Sequence, residues 1–338
     1  MVDDLDHPAV TAALETALDG QGIDRSTATA LVEAPLEAVI SAAARVRAAH
    51  HDDSVAACSI VNAKAGGCPE DCGFCAQSAH YATGVTPHDV RTPAAMLDAA
   101  KRAAADGAQS FGVVIAGRGV SQTDRPDEFA TLLEAIALID AETDLRVDAS
   151  LGALTRSEAE ALADAGVAVY NHNIETARRY FPEVVSTHTF ADRVETLEIA
   201  RAAGMDLCSG VILGMGETPA DRIDAAIALR EIGVDSLPVN VLNPVDGTPI
   251  AKRVGNEAAI TTAALQRTIA IYRLIHPGAR IRLAGGREAN VPVAEQHRLL
   301  EAGANGLLVG DYLTTDGQAP DRDRRIVERA GLQLAGSE

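Results

Sequence analysis

The feature that most restricts the fold is a repeated unit. An Ala-rich helical stretch is closed by a glycine and followed by a short β-branched or apolar run. Gly107 closes 93–106, before Ser110-Phe111-Gly112-Val113-Val114-Ile115. Gly166 closes 157–165 before 167–170, and Gly204 closes 190–203 before 207–213. Gly233 closes 220–232 before 236–242, and Gly303 closes 293–302 before 306–309. Glycine suits the left-handed position past a helix's last turn. Start signals agree: Thr92-Pro93, Thr218-Pro219, and Thr155 with Glu158 as a capping box. Strands alternating with helices imply parallel strands joined by right-handed crossovers. Candidate strands lie near 57–63, 110–116, 145–150, 167–173, 207–213, 236–242, 280–284 and 306–310. Eight such units predict an α/β fold of the (β/α)8 TIM-barrel type. An open doubly wound sheet shows the same alternation, but no Gly-x-Gly-x-x-Gly follows the first strand.

The expected organisation is an N-terminal helical extension over 1–50, the barrel over 51–320, and a C-terminal helix and tail over 321–338. The ends, 1–7 and 334–338, read as frayed. A content of 47% hydrophobic residues in 338 supports one sizeable core and excludes a disordered chain. The net charge of −19 argues against nucleic acid or an anionic membrane as the main partner. Lysine occurs only at Lys64, Lys101 and Lys252, a Lys-poor, Asp-rich balance like that of proteins from a high-salt cytoplasm. No apolar run is long enough to span a bilayer, and the acidic opening lacks a signal peptide's positive region. The expectation is a cytoplasmic protein.

The strongest chemical signal is Cys68-Pro69-Glu70-Asp71-Cys72-Gly73-Phe74-Cys75, a C-x3-C-x2-C run in the loop after the first strand. The other cysteines are Cys58 and Cys208, so the set is no disulfide framework. Three thiolates suit three irons of a [4Fe–4S] cluster, leaving the fourth iron open to a small molecule. The competing reading is structural zinc held by Cys68, Cys72, Cys75 and His80, although zinc favours Cys-x2-Cys pairs.

This motif on the first loop of a β/α barrel resembles the radical S-adenosylmethionine superfamily and, within it, the biotin synthase family. The resemblance covers about 55–316. It rests on 67–78, on Tyr170-Asn171-His172-Asn173-Ile174-Glu175-Thr176, on Cys208-Ser209-Gly210 running into Gly214-Met215-Gly216-Glu217-Thr218, and on Arg282-Leu283-Ala284-Gly285-Gly286-Arg287-Glu288. It implies that the open iron is chelated by S-adenosylmethionine and that a 5′-deoxyadenosyl radical abstracts hydrogen from dethiobiotin before sulfur is inserted. It implies substrate contacts at Asn171, Asn173 and Asn240. It implies cofactor contacts at Glu175 (where the family often has Asp), Arg193, Gly214 and Gly216. It further implies a homodimer and a reducing electron donor such as flavodoxin or ferredoxin. By strand alternation Asn171, Asn173 and Glu175 share one face, and His172 is expected on the other, packed against a helix.

The chain departs from the family at the auxiliary [2Fe–2S] cluster, which three cysteines and one arginine hold. Cys208 and Arg282 match two positions, while Gly112 and Asp148 stand where the other cysteines belong. Cys58 is a candidate replacement ligand if it faces inward, with a small buried hydrophobe as the alternative. Three functions follow as expectations. The first is conversion of dethiobiotin to biotin. The second is a radical enzyme of the same subgroup without sulfur insertion, acting in amino-acid rearrangement or cofactor assembly. The third is a zinc-binding scaffold. His50, His51, His188 and His276 are expected to be solvent-prone or capping groups.

Overall fold

The structure, a computed structural model, describes residues 7–255, 260–310 and 320–335. The expected fraying of 1–6 and 336–338 lies outside the described residues. Helices α1 (Pro8–Leu18), α2 (Arg25–Ala30) and α3 (Leu36–His50) come first. Then follow β1 (Ser54–Lys64), α4 (Pro93–Ala105), β2 (Ser110–Ile115), α5 (Pro126–Glu142), β3 (Arg146–Ser150), α6 (Arg156–Asp164), β4 (Val169–Asn171) and α7 (Phe190–Ala202). The second half holds β5 (Asp206–Cys208), β6 (Val211–Leu213), α8 (Pro219–Ile232), β7 (Ser236–Val241), α9 (Pro249–Val254), α10 (Thr262–Ile275) and β8 (Arg280–Leu283). It ends with α11 (Arg287–Asn290), α12 (His297–Glu301), β9 (Gly306–Leu308), α13 (Pro320–Arg329) and β10 (Gln333–Leu334).

Among the described residues every pairing between strands is parallel. The order β1-β2-β3-β4-β5-β7-β8-β9 closes on itself where Ala56 of β1 pairs with Gly306 of β9. The result is the expected closed eight-strand barrel, with β5 and β6 as two halves of one stave: β5 pairs with β4 and β7, and β6 continues along β7. The five closing glycines all have left-handed φ, from 78° at Gly233 to 109° at Gly303. Thr92, Thr155 and Thr218 each accept a hydrogen bond from the backbone three residues on, satisfying helix-start donors that would otherwise lack partners. The N-terminal helices bury Val10, Leu14, Val39 and Val46, and α3 packs against α10 and α1.

Two strand readings are corrected. The fourth strand, expected over 167–173, is only Val169–Asn171, and the fifth, expected unbroken over 207–213, is interrupted at Ser209-Gly210. The interruption has a steric cause. A Cβ on Gly210 would stand 1.8 Å from the Pro238 carbonyl oxygen, so β7 presses against the chain there. The end of β4 is stitched into the gap. The Ser209 hydroxyl donates to the His172 carbonyl at 2.8 Å and accepts from Ile174 N at 3.2 Å, and Gly210 N donates to Asn173 Oδ1 at 3.0 Å. The C-terminal segment also adds β10, whose Gln333 and Leu334 pair with Ser54 and Val55.

Candidate active site

A cavity of about 480 Å³ opens where the C-terminal strand ends meet the loops, the end that carries the chemistry of such barrels. Cys68, Cys72 and Cys75 line its mouth. Their loop is pinned on all sides. Gly73 N donates to the Val184 carbonyl at 2.8 Å, and Ile250 N donates to the Gly73 carbonyl at 3.0 Å. Cys75 N donates to the Cys72 carbonyl at 2.9 Å. Asp71 accepts from Ser186 N at 2.9 Å and Thr187 N at 3.0 Å. Burial pushes the Asp71 carboxyl up, but these hydrogen bonds outweigh it and the group titrates well below the usual carboxylate range. Burial also pushes the Cys72 thiol up to about 12, with Cys75, Glu175 and Cys68 adding to the shift. Among the described residues no group of three or more His, Cys, Asp or Glu side chains is drawn in closely enough to grip a metal ion. Thiols gather as ligands only once a cation displaces their protons, and these three share one cavity wall. His80 does not line this cavity, and its Nε2 bonds to the Pro69 carbonyl at 2.9 Å.

Next inward stands Glu175. It is the one non-glycine residue with positive φ among the described residues, at 66°. Its backbone explains that geometry: Glu175 N donates to the Gly210 carbonyl at 3.1 Å and Ile212 N donates to the Glu175 carbonyl at 2.8 Å, bridging the broken stave. Arg193, in the first turn of α7, reaches Glu175 Oε1 at 3.4 Å and the Asn173 carbonyl at 2.7 Å. Glu175 Oε2 is buried and has no hydrogen-bond partner. Burial raises this carboxyl to about 7, although Arg193 and Asn173 pull the other way.

Asn171, Asn173 and Asn240 all line the cavity. Asn171 Nδ2 donates to Cys208 Sγ at 3.1 Å. Asn240 accepts from Gly285 N at 3.0 Å and donates to the Val211 carbonyl at 3.2 Å, so its amide ties β7 to its neighbours as well as facing the cavity. Gly214 and Gly216 do not line the cavity. Gly214 N is turned toward Glu217, whose carboxylate also takes Met215 N at 2.8 Å and Arg222 Nε at 2.8 Å. Deeper still, Cys58, Asp148, Cys208 and Arg282 converge from four different strands. Cys58 therefore faces inward. Arg282 Nη1 is 3.6 Å from Asp148 Oδ2, and Gly112 lies opposite both Ile60 and Asp148 in the sheet.

Three histidines are corrected. His172 follows the last residue of the short β4, so strand alternation no longer applies, and it lines the cavity beside its Asn neighbours. His188 is no surface group. Arg193 Nε donates to its Nε2 at 3.1 Å, which places the proton on Nδ1, and Nδ1 donates to Glu70 Oε2 at 2.6 Å. The chain Glu70–His188–Arg193–Glu175 thereby links the cysteine loop to the inner wall. Sequence reasoning missed Glu70 and His188 in this role; their one signal was Glu70 lying inside the cysteine motif. His276 is likewise buried, with Nε2 on the Ala226 carbonyl at 2.8 Å.

The chain, a closed parallel barrel with three cysteines along its cavity and an inward carboxylate and arginine behind them, is a radical S-adenosylmethionine enzyme by its match to that superfamily. Residues 64–241 match the Radical SAM superfamily, and 238–333 match the Biotin and Thiamin Synthesis associated domain. The chain is 58% identical over 333 residues to the biotin synthase of Natronomonas pharaonis, covering 98% of this chain and 90% of that protein. It is 42% identical over 333 residues to the biotin synthase of Trichlorobacter lovleyi, covering 98% and 97%. It belongs to the biotin synthase family, and its activity is that of a radical sulfurtransferase acting on dethiobiotin. The crystal structure of a methylornithine synthase superposes with TM-score 0.79 at 18% identity, covering 96% of this chain and 97% of that one, which shows the shared fold. The amino-acid-rearranging and zinc-scaffold alternatives thus give way to sulfur insertion. No described helix is long and apolar enough to cross a membrane.

Proposed function

We propose that Cys68, Cys72 and Cys75 hold the [4Fe–4S] cluster, that Glu175 takes the ribose hydroxyls of S-adenosylmethionine, and that Arg193 takes its carboxylate. Asn171, Asn173 and Asn240 then face dethiobiotin, with His172 as a further wall. Held by these cysteines, the cluster would supply the one-electron reduction that cleavage of S-adenosylmethionine requires. The protein's part is to orient both ligands and to exclude water from the space between them. One observation carries this reading. Glu175 Oε2 is buried, unpartnered and next to the cavity that the three thiols line. A buried acceptor without a donor costs stability, and a pair of ribose hydroxyls supplies the donor. Arg193 is held through Nη1 and Nε by Asn173 and His188, and its guanidinium lines the same cavity, where its charge favours a carboxylate. Gly214 and Gly216 act at one remove, by shaping the Glu217 turn at the barrel's edge.

The same reading has a low-potential one-electron donor such as flavodoxin or ferredoxin, a homodimer, and a cytoplasmic setting. It treats 1–50 as a helical extension, 51–320 as the barrel and 321–338 as the C-terminal helix and tail. Equilibrium binding of S-adenosylmethionine to the reconstituted protein tests the assignment. Glu175→Gln weakens binding by about tenfold or more, the loss expected when hydrogen bonds to a charged acceptor go. Unchanged affinity would remove Glu175 from the site.

A further inference from the structure

The cavity floor does not fit the auxiliary cluster that the family resemblance implies. Iron–sulfur clusters are held chiefly by thiolates. At one required position Gly112 has no side chain, and a Cβ there would already meet Ile60 Cγ2 at 3.0 Å. At another, the Asp148 carboxylate is drawn to Arg282. Yet a sulfur-inserting enzyme has to hold its sulfur within reach of the substrate. Outside the three-cysteine motif, the cavity offers two sulfur atoms, those of Cys58 and Cys208.

We infer that Cys208, between the Asn171 amide and the Arg282 guanidinium and with Cys58 on the same floor, carries the inserted sulfur as a persulfide. The inference rests on the sulfurtransferase reading. Two further observations point to an occupant beside these thiols. Arg282 Nε and Asp148 Oδ1 both lack a hydrogen-bond partner although both residues are more than nine-tenths buried. The Asn171 amide already donates to Cys208 Sγ at 3.1 Å, the arrangement that steadies a sulfur anion.

The chemistry balances. In loading, the Cys208 thiolate attacks the outer sulfur of a persulfide donor. The donor's S–S bond breaks, a new S–S bond forms on Cys208, and the donor leaves as a thiolate with no net oxidation. In transfer, the outer sulfur at oxidation level zero joins two carbon-centred radicals generated on the substrate by the known reaction. Two C–S bonds form, the S–S bond breaks, and Cys208 returns as a thiolate, so no added oxidant is needed.

The test uses the full chain reconstituted with iron and unlabelled sulfide, then treated with inorganic polysulfide carrying a heavy sulfur isotope. After alkylation, peptide mass spectrometry should place one heavy sulfur on Cys208. The adduct should persist in Cys58→Ser and fall by about tenfold in Arg282→Met, which removes the cation but no thiol. A heavy adduct that maps only to Cys58, or no adduct in the unaltered protein, overturns the proposal. No turnover is needed for that readout, so absent biotin with an intact Cys208 adduct counts against the functional reading and upholds the site. In single turnover the biotin should carry the heavy isotope. Biotin carrying only unlabelled sulfur from the cluster pool overturns the proposal.

Discussion

Glu175 makes a pH prediction as well as a binding one. Its carboxyl titrates near 7 in the folded chain against an ordinary value of 4.5. Between those values the unfolded chain has released the proton while the folded chain keeps it. Stability without ligands therefore falls as pH rises through that window. Denaturation midpoints measured at several pH values should show that decline, and Glu175→Gln should flatten it; an unchanged slope would mean the carboxyl is not buried as described. Asn173→Ala makes a second prediction. It removes the acceptor for Gly210 N and a neighbour of Glu175, and turnover should fall at least about a hundredfold while the barrel stays folded. Comparing product formation with circular dichroism separates the two effects. Cysteine, asparagine and glutamate positions at strand ends were legible because a barrel sends strand ends to one place. His172, His188 and Glu70 were not, because their roles depend on where β4 stops and on partners up to 118 residues away in sequence.

At the scale of elements, the helix boundaries were readable because their causes are local. A Thr cap, a Pro in the first turn and a closing Gly each act within a few residues. Thr218 illustrates this: it accepts from Asp221 N at 3.2 Å and takes part in a full capping box. Thr218→Ala should cost about 1 kcal/mol of stability in chemical denaturation. The broken fifth stave was not readable, because the run from 207 to 213 alternates well enough for one strand. What breaks it is β7 pressing on Gly210, a contact between separate elements. Gly210→Ala should accordingly be far more damaging than a loop glycine substitution. Its Cβ has no space, so the expected loss is about 3 kcal/mol or more, or failure to fold. The residue opposite the joint, Asn171, pairs with Cys208 in the sheet, so disturbance there also displaces the cavity floor.

At the scale of the molecule, two forms of electrostatics act in opposite places. Arg273 is fully buried on α10 and donates to the carbonyls of Gly303, His276, Pro277 and Ala279 and to Asn305 Oδ1, at 2.8 to 3.0 Å. It thereby joins α10 to the turns leading into β8 and β9. Outside, the net charge of −19 repels itself. Salt screens that repulsion over about 10 Å at 0.1 M and less at higher concentration. The unfolding temperature should therefore climb with added potassium chloride; a flat or falling response would contradict an acidic surface under strain. The central claim is that this barrel makes biotin by radical chemistry, and one anaerobic assay tests it most directly. The reconstituted, reduced chain is given S-adenosylmethionine and dethiobiotin, and products are identified by mass spectrometry. The account predicts both 5′-deoxyadenosine and biotin, with both lost in Cys72→Ala. Formation of 5′-deoxyadenosine with dethiobiotin left unaltered would contradict it.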